Sequence, residues 1–413
     1  MFLSIPTPPI PAVVANPSLF DKMQESSIDS IRYKAASLNL SNWKLFKITG
    51  KDGAIFFQGQ TTNDLNQVPL HYAQLSARLN RQGRVQGYFY LVKKEDHLLL
   101  FILDEVSSLV EDFKQFIIAE DVAIYELKIK TQAILGALSS SLVKDLKTQD
   151  YFHLKYQGED ALIYWEENLE ILNFPEVSPK DLEILRILNG WPKWNLNINA
   201  QSLINDTCLD RLAISYDKGC FLGQETASKI HSRKGAAKFM ALLEVTNTKA
   251  HLHLAGKFFL IDQKKAGFVY TSCNYKEKTY LEVNLARVYM VIGRIHTLQF
   301  EEEQVTAKVC SYPFFKDENN IQKATTLYDR AISYFKNHRE EKAMEYLNFA
   351  ITFNPQFADA YEALGVIHGR RKEYEKAIDL MNKLSQINPN SVMAHANKSL
   401  YYMNLGKISE AEE

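Results

Sequence analysis

Residues 215–238, SYDKGCFLGQETASKIHSRKGAAK, stand apart in the 413-residue chain. A thiol, Cys220, lies between Gly219 and Gly223, with Lys218 before it and Gln224 and Glu225 after it. Glycines permit positive φ and close backbone approach to a ligand. An amide beside a carboxylate suits a heterocycle that presents both donors and acceptors, such as a pterin. The cations that follow, Lys229, His231, Arg233, Lys234 and Lys238, suit carboxylates, phosphates or RNA. Plainer readings stand beside these. Cys220 could be a packed core cysteine, Glu225 could pair with Lys229 at i,i+4 on a helix, and the basic run could be a solvated face.

Elements around this stretch must position it. WKLFKIT at 43–49 reads as a strand, and Asp52 as the N-cap of a helix through GAIFFQGQTTNDL. LSARL, VQGYFYLVK and HLLLFIL read as strands joined by the turns RQGR and Lys94–Asp96. Residues 106–118 have helical spacing, and VAIYEL, QAILGAL, YFHLKY and ALIYW read again as strands. PKDLEILRILNG at 179–190 reads as a helix opened by proline and closed by Gly190. From 239 to 313 the short strands FMALLEV, KFFLI, AGFVYTS, YLEVNLARVYM and QVTAKV suggest a small barrel. Beyond it the chain repeats. Pro355 and Pro389 stand 34 residues apart, as do Ala343, Ala377 and Ala411, and Ala331, Gly365 and Ser399. This is the tetratricopeptide period, with small residues where paired helices cross. The third unit stops at Glu413, just past Ala411, so the natural chain is expected to continue.

DKGCFLGQE resembles the K-G-C-[YF]-x-G-Q-E signature of the YgfZ-type folate-binding proteins, relatives of the glycine-cleavage T-protein (aminomethyltransferase). Lys218, Gly219, Cys220, Phe221, Gly223, Gln224 and Glu225 all fit it. ITGKDGAIFFQGQTTNDL resembles the family's opening block at Gly50, Asp52, Phe56, Gln58, Gly59, Gln60, Thr62, Asn63 and Asp64, with Gly53 where alanine is common. LRILNGWP resembles its R-I-x-x-G-x-P segment at Arg186, Ile187, Gly190 and Pro192. The resemblance spans roughly residues 40–315 and implies an α+β, aminomethyltransferase-like three-lobed fold. The expected divisions are a flexible lead-in over 1–29, a folate-binding α+β region of two lobes over 30–238, a small β-barrel lobe over 239–316, and an all-α tetratricopeptide solenoid over 320–413. The resemblance also implies tetrahydrofolate or a derivative as cofactor, and a role in iron–sulfur cluster assembly or repair that reaches tRNA modification through cluster enzymes. Cys220 becomes the candidate functional thiol. Gln224 and Glu225 become candidates for facing the pterin, within a cofactor-binding set of Lys218, Gly219, Gly223, Gln224, Glu225 and Arg233.

Two other classes compete. An aminomethyltransferase carries an acidic pair in the strand where this chain has Gln86 and Gly87, and tends to an acid where it has Leu188. Both departures lean away from a glycine-cleavage enzyme. A scaffold reading would put the main activity in the repeats, whose groove binds a peptide or protein ligand. Partners expected on this basis are folate, iron–sulfur enzymes or assembly factors, and a ligand of the repeats. Composition narrows the rest. Lys plus Arg is 48 against 49 for Asp plus Glu, a net charge of -1, so direct nucleic-acid binding is not expected. No apolar run reaches the ~18 residues of a membrane span. The prolines of MFLSIPTPPIPAVVANP break any signal-peptide core, and the protein is expected to be cytoplasmic. Cys208, Cys220, Cys273 and Cys310 form no CxxC pair and no cluster-ligand spacing, so a resident metal is not expected.

Overall fold

The computed structural model describes residues 28, 31–32, 35–139, 150–165, 174–232, 236–246, 253–301, 303–314 and 320–412. The expected lead-in over 1–29 lies outside them except at Ile28. The chain forms two compact units, Met1–Phe314 and Phe315–Glu413.

The first unit opens with β1 (Ala36–Leu38), β2 (Trp43–Thr49), α1 (Gly53–Gln60), β3 (Ala73–Leu79), β4 (Val85–Lys93), β5 (Leu98–Leu103), α2 (Leu109–Gln115) and β6 (Ala123–Leu127). It continues with β7 (Gln132–Leu135), β8 (Tyr151–Tyr156), β9 (Glu159–Tyr164), α3 (Pro179–Asn189), α4 (Leu209–Leu212) and α5 (Gln224–Ser232). Its last six strands are β10 (Lys238–Val245), β11 (Phe258–Ile261), β12 (Lys264–Tyr275), β13 (Lys278–Ala286), β14 (Ile295–Gln299) and β15 (Gln304–Val309).

Two antiparallel sheets form first, in the orders β3-β4-β5-β2-β6 and β1-β7-β9-β8. All six residues of β5 are buried, which a strand in the middle of a sheet covered on both faces requires. Successive side chains of β4 point opposite ways. Phe89 meets Phe113 of α2, which also packs on Phe57 of α1, so the two helices cover that face. Tyr90 turns the other way and donates to Lys155 O of β8 at 2.7 Å. Phe101 lies between Trp43 (4.7 Å) and Phe152 (5.5 Å), and this aromatic layer joins the two sheets. α3 starts as expected. Ser178 Oγ accepts from Asp181 N, Pro179 takes the first turn, and Gly190 stops the helix at φ +64.

The last six strands close into a barrel, β10-β13-β12-β11-β14-β15. Alternate residues such as Leu243, Val269, Leu281, Val283, Leu285, Val305 and Ala307 fill its interior. Four expectations need correction. The barrel has a sixth strand, β14, that the apolar pattern missed. The helix expected to run on through TTNDL stops at Gln60, and that over 106–118 is regular only from Leu109 to Gln115. Asp52 holds the N-cap position but makes no cap bond to α1; its carboxylate instead accepts from Asp121 N at 2.9 Å.

Among the described residues of the second unit the regular elements are all helices: α6 (Asn320–Lys336), α7 (Glu340–Phe353), α8 (Ala358–Arg370), α9 (Tyr374–Ile387), α10 (Val392–Asn404) and α11 (Ile408–Glu412). Ala331, Ala343 and Ala377, three of the small crossing positions, are fully buried. Tyr401 of α10 packs over Tyr374 of α9 and closes the core between those helices. Among the described residues, no helix is long and apolar enough to cross a membrane.

Candidate functional site

The opening block and the signature are about 160 residues apart in sequence and meet in space. Lys218 is buried, and its ammonium donates to Gln58 O (2.6 Å), Thr61 O (2.7 Å) and Asn63 O (2.8 Å). These carbonyls belong to the last turn of α1 and the segment that follows it. The polar residues of the block brace that segment from within. Gln58 bonds the Asp64 carboxylate and Leu65 N, Thr62 Oγ1 accepts from Ala77 N, and Asn63 donates to Leu75 O. Burial pulls the Lys218 ammonium down to about 8, with the Asp64 carboxylate opposing. Three carbonyl acceptors also favour its charged form. Lys218 is therefore a clamp between two motifs, and its donors are committed rather than open to an anion.

The two glycines of the signature differ. Gly223 has φ +83, and a Cβ there would lie 2.5 Å from Asn80 O and 2.8 Å from Leu79 Cβ. The loop therefore presses directly on the β3–β4 turn, just before α5 begins. Gly219 is exposed, and nothing lies within 4 Å of its Cβ position. Between them Cys220 is exposed, whereas Cys208, Cys273 and Cys310 are buried. The reading of Cys220 as a core cysteine is thus overturned. Burial pushes the thiols of Cys208 and Cys273 up to about 12 and raises that of Cys310. A maleimide should accordingly label one thiol per native chain, and Cys220→Ser should abolish that labelling. A second fast-reacting thiol, by mass spectrometry, would contradict the assignment.

Gln224 opens α5, half-buried. Its side-chain oxygen accepts from Phe221 N at 3.4 Å, while its N–H donors have no partner among the described residues. Glu225 is exposed and paired with Lys229 across one helical turn at 2.5 Å, the plainer of its two readings. Arg233 lies outside the described residues.

Beneath α5 lies a polar group that motif reading missed. Tyr216 OH donates to the Asp210 carboxylate, and Asn205 Nδ2 reaches Asp210 Oδ1 (2.9 Å) and Ala227 O (3.2 Å). The Tyr216 ring stacks on His231 at 3.9 Å. Burial, together with the bond to Asp210, raises the Tyr216 phenol well above its ordinary range. The only signal in the sequence was Tyr216 standing two residues before the signature lysine. A second missed group ties the third motif to the barrel. Arg186 grips Glu282 of β13 with two bonds (3.0 and 2.7 Å), and Asn197 (3.0 Å) and Tyr312 (2.9 Å) donate to the same carboxylate. Both charges are buried, at 1% and 0% exposure.

Residues 358–391 match the tetratricopeptide repeat family. The aminomethyltransferase T of the glycine cleavage system from Bartonella henselae has a similar structure (TM-score 0.60, 16% identity, covering 70% of this chain and 88% of that one). The first unit thus has the aminomethyltransferase-like fold. In sequence the chain is 25% identical over 215 residues to the tRNA-modifying protein YgfZ of Colwellia psychrerythraea, covering 47% of this chain and 66% of that protein. It is 25% identical over 256 residues to the protein of the same name from Buchnera aphidicola, covering 54% and 79%. The first unit thus resembles the YgfZ proteins in sequence and the aminomethyltransferase in fold, and tetratricopeptide repeats follow it.

Proposed function

We propose that this chain binds tetrahydrofolate or a derivative beside α5 and assists iron–sulfur enzymes, tRNA-modifying ones included, while its repeats recruit a protein partner. The observation that carries the reading is the signature loop itself. It offers the accessible thiol of Cys220 next to the unpaired amide donors of Gln224, on a loop clamped by Lys218 to the opening motif block. The name of the relatives, tRNA-modifying protein YgfZ, supports the direction of that help.

The residues fit a pterin at Gln224, whose N–H donors suit a heterocycle's acceptor edge. Glu225 is a weaker contact while Lys229 holds it at the surface. The folate would supply one-carbon chemistry when bound; the residues named here bind and orient it. An aminomethyltransferase reading is disfavoured at β4. Gln86 bonds Arg84 O (3.4 Å), and a Cβ at Gly87 would meet Leu109 Cδ1 at 2.5 Å, so the acidic pair has no counterpart and a side chain at Gly87 would require Leu109 to move.

Calorimetric titration of tetrahydrofolate into the full chain tests the proposal. Wild type should bind, and Gln224→Ala should bind roughly tenfold more weakly, the size of a lost hydrogen-bonding group. Glu225→Ala should have a smaller effect. Cys220→Ser should keep folate affinity and lower the activity of a cluster-dependent tRNA-modifying enzyme in cells. Absence of binding to wild type would remove the proposal's foundation.

A further inference from the structure

We propose that the groove between α6 and α8 takes a peptide segment in which lysine or arginine stands beside apolar side chains. This rests on the repeats acting as an interaction module and names the chemistry of their ligand. The groove, of about 370 Å³, has apolar walls from Tyr328, Ile332 and Phe335 of α6 and Val366 of α8. Asp359 and Glu362 of α8 line it too. Neither carboxylate has a hydrogen-bond or ion-pair partner among the described residues. Elsewhere in the same unit Glu341 pairs with Arg371, Glu345 with Lys342, and Glu373 with Arg371, His368 and Lys376.

The uncompensated charge is felt at the wall. Burial, and then Asp359, Glu362 and Asp329, raise the Tyr328 phenol above its ordinary range. At the other end the Arg370 guanidinium lies over the Phe335 ring at 5.1 Å, so the negative character belongs to the Tyr328 end. A lysine or arginine stem can lie along Tyr328 and Ile332 while its head meets both carboxylates. An acidic segment would meet like charge beside a poorly solvated surface and be rejected.

The test exposes the full chain to short random peptides of mixed charge displayed on beads. Wild type should enrich peptides with Lys or Arg next to Leu, Ile or Phe. Asp359→Asn with Glu362→Gln should reduce that enrichment roughly tenfold, as expected for two lost charge contacts. Glu375→Gln with Asp379→Asn, an equal charge change on α9, should leave it intact. Glu362→Lys should shift selection toward acidic peptides, a gain that misfolding cannot imitate. Enrichment of acidic or neutral peptides by wild type, no enrichment, or equal loss in both double variants would overturn the proposal. The readout contains no folate, so a failed folate titration leaves this result standing, and a failed selection leaves the folate reading standing.

Discussion

Replacing Glu282 with alanine should lower the stability of the first unit by roughly 2–4 kcal/mol. The reason is what remains: the Arg186 guanidinium, 1% exposed, would lose its fully buried counter-charge and keep only Glu183 (3.1 Å), which is partly exposed and shared with Lys193. Asn197 and Tyr312 would lose their shared acceptor as well. Taking out both charges, with Arg186→Met and Glu282→Met together, should cost less than Glu282→Ala alone, because no ion is then stranded. All four tryptophans, Trp43, Trp165, Trp191 and Trp194, lie in the first unit, so urea unfolding followed by tryptophan fluorescence reports on that unit alone. A loss under 1 kcal/mol for Glu282→Ala, or a double variant worse than the single one, would sink the argument.

Gly223→Ala and Gly219→Ala should behave in opposite ways although they flank the same cysteine. At Gly223 the left-handed backbone alone costs about 1–2 kcal/mol for a non-glycine residue. The new Cβ would also sit 2.5 Å from the carbonyl of Asn80, which is backbone and cannot swing aside. A total on the order of 2–4 kcal/mol is expected. The start of α5 would shift with it, so tetrahydrofolate affinity should fall together with stability. At Gly219 the Cβ meets open space, and alanine should change stability by less than about 0.5 kcal/mol. Paired urea midpoints decide the matter; equal effects at the two positions would show that the loop is not held where it is described.

Local pattern made most of the fold legible. WKLFKIT, VQGYFYLVK and the proline-to-glycine span of α3 became elements almost at the residues expected, because alternation and caps are written in neighbours. β14 escaped because its parity is inverted: His296 and Leu298 turn inward, while Ile295, the residue that looks apolar, is 56% exposed. β1 has three residues, too few to show a period. The site was legible as a motif but not as an arrangement. A lysine beside a cysteine in sequence suggested a shared pocket, yet the lysine reaches back to carbonyls of residues 58–63. Glu282, a lone acid in the strand YLEVNLARVYM, carried no motif that would single it out. Its partner is 96 positions away, and nothing local announces it.

The segment that leaves the barrel has a mechanical consequence. Cys310 N bonds Leu242 O (2.9 Å), Phe314 N bonds Leu188 O (2.8 Å), and between them Tyr312 reaches Glu282 while its ring covers Gly190. A pull applied at residue 315 would therefore load α3, β10 and β13 together before it could peel β15 from its neighbours. Those few residues act as a strain relief within the first unit, spreading a load on its last strand over the body instead of unzipping that strand.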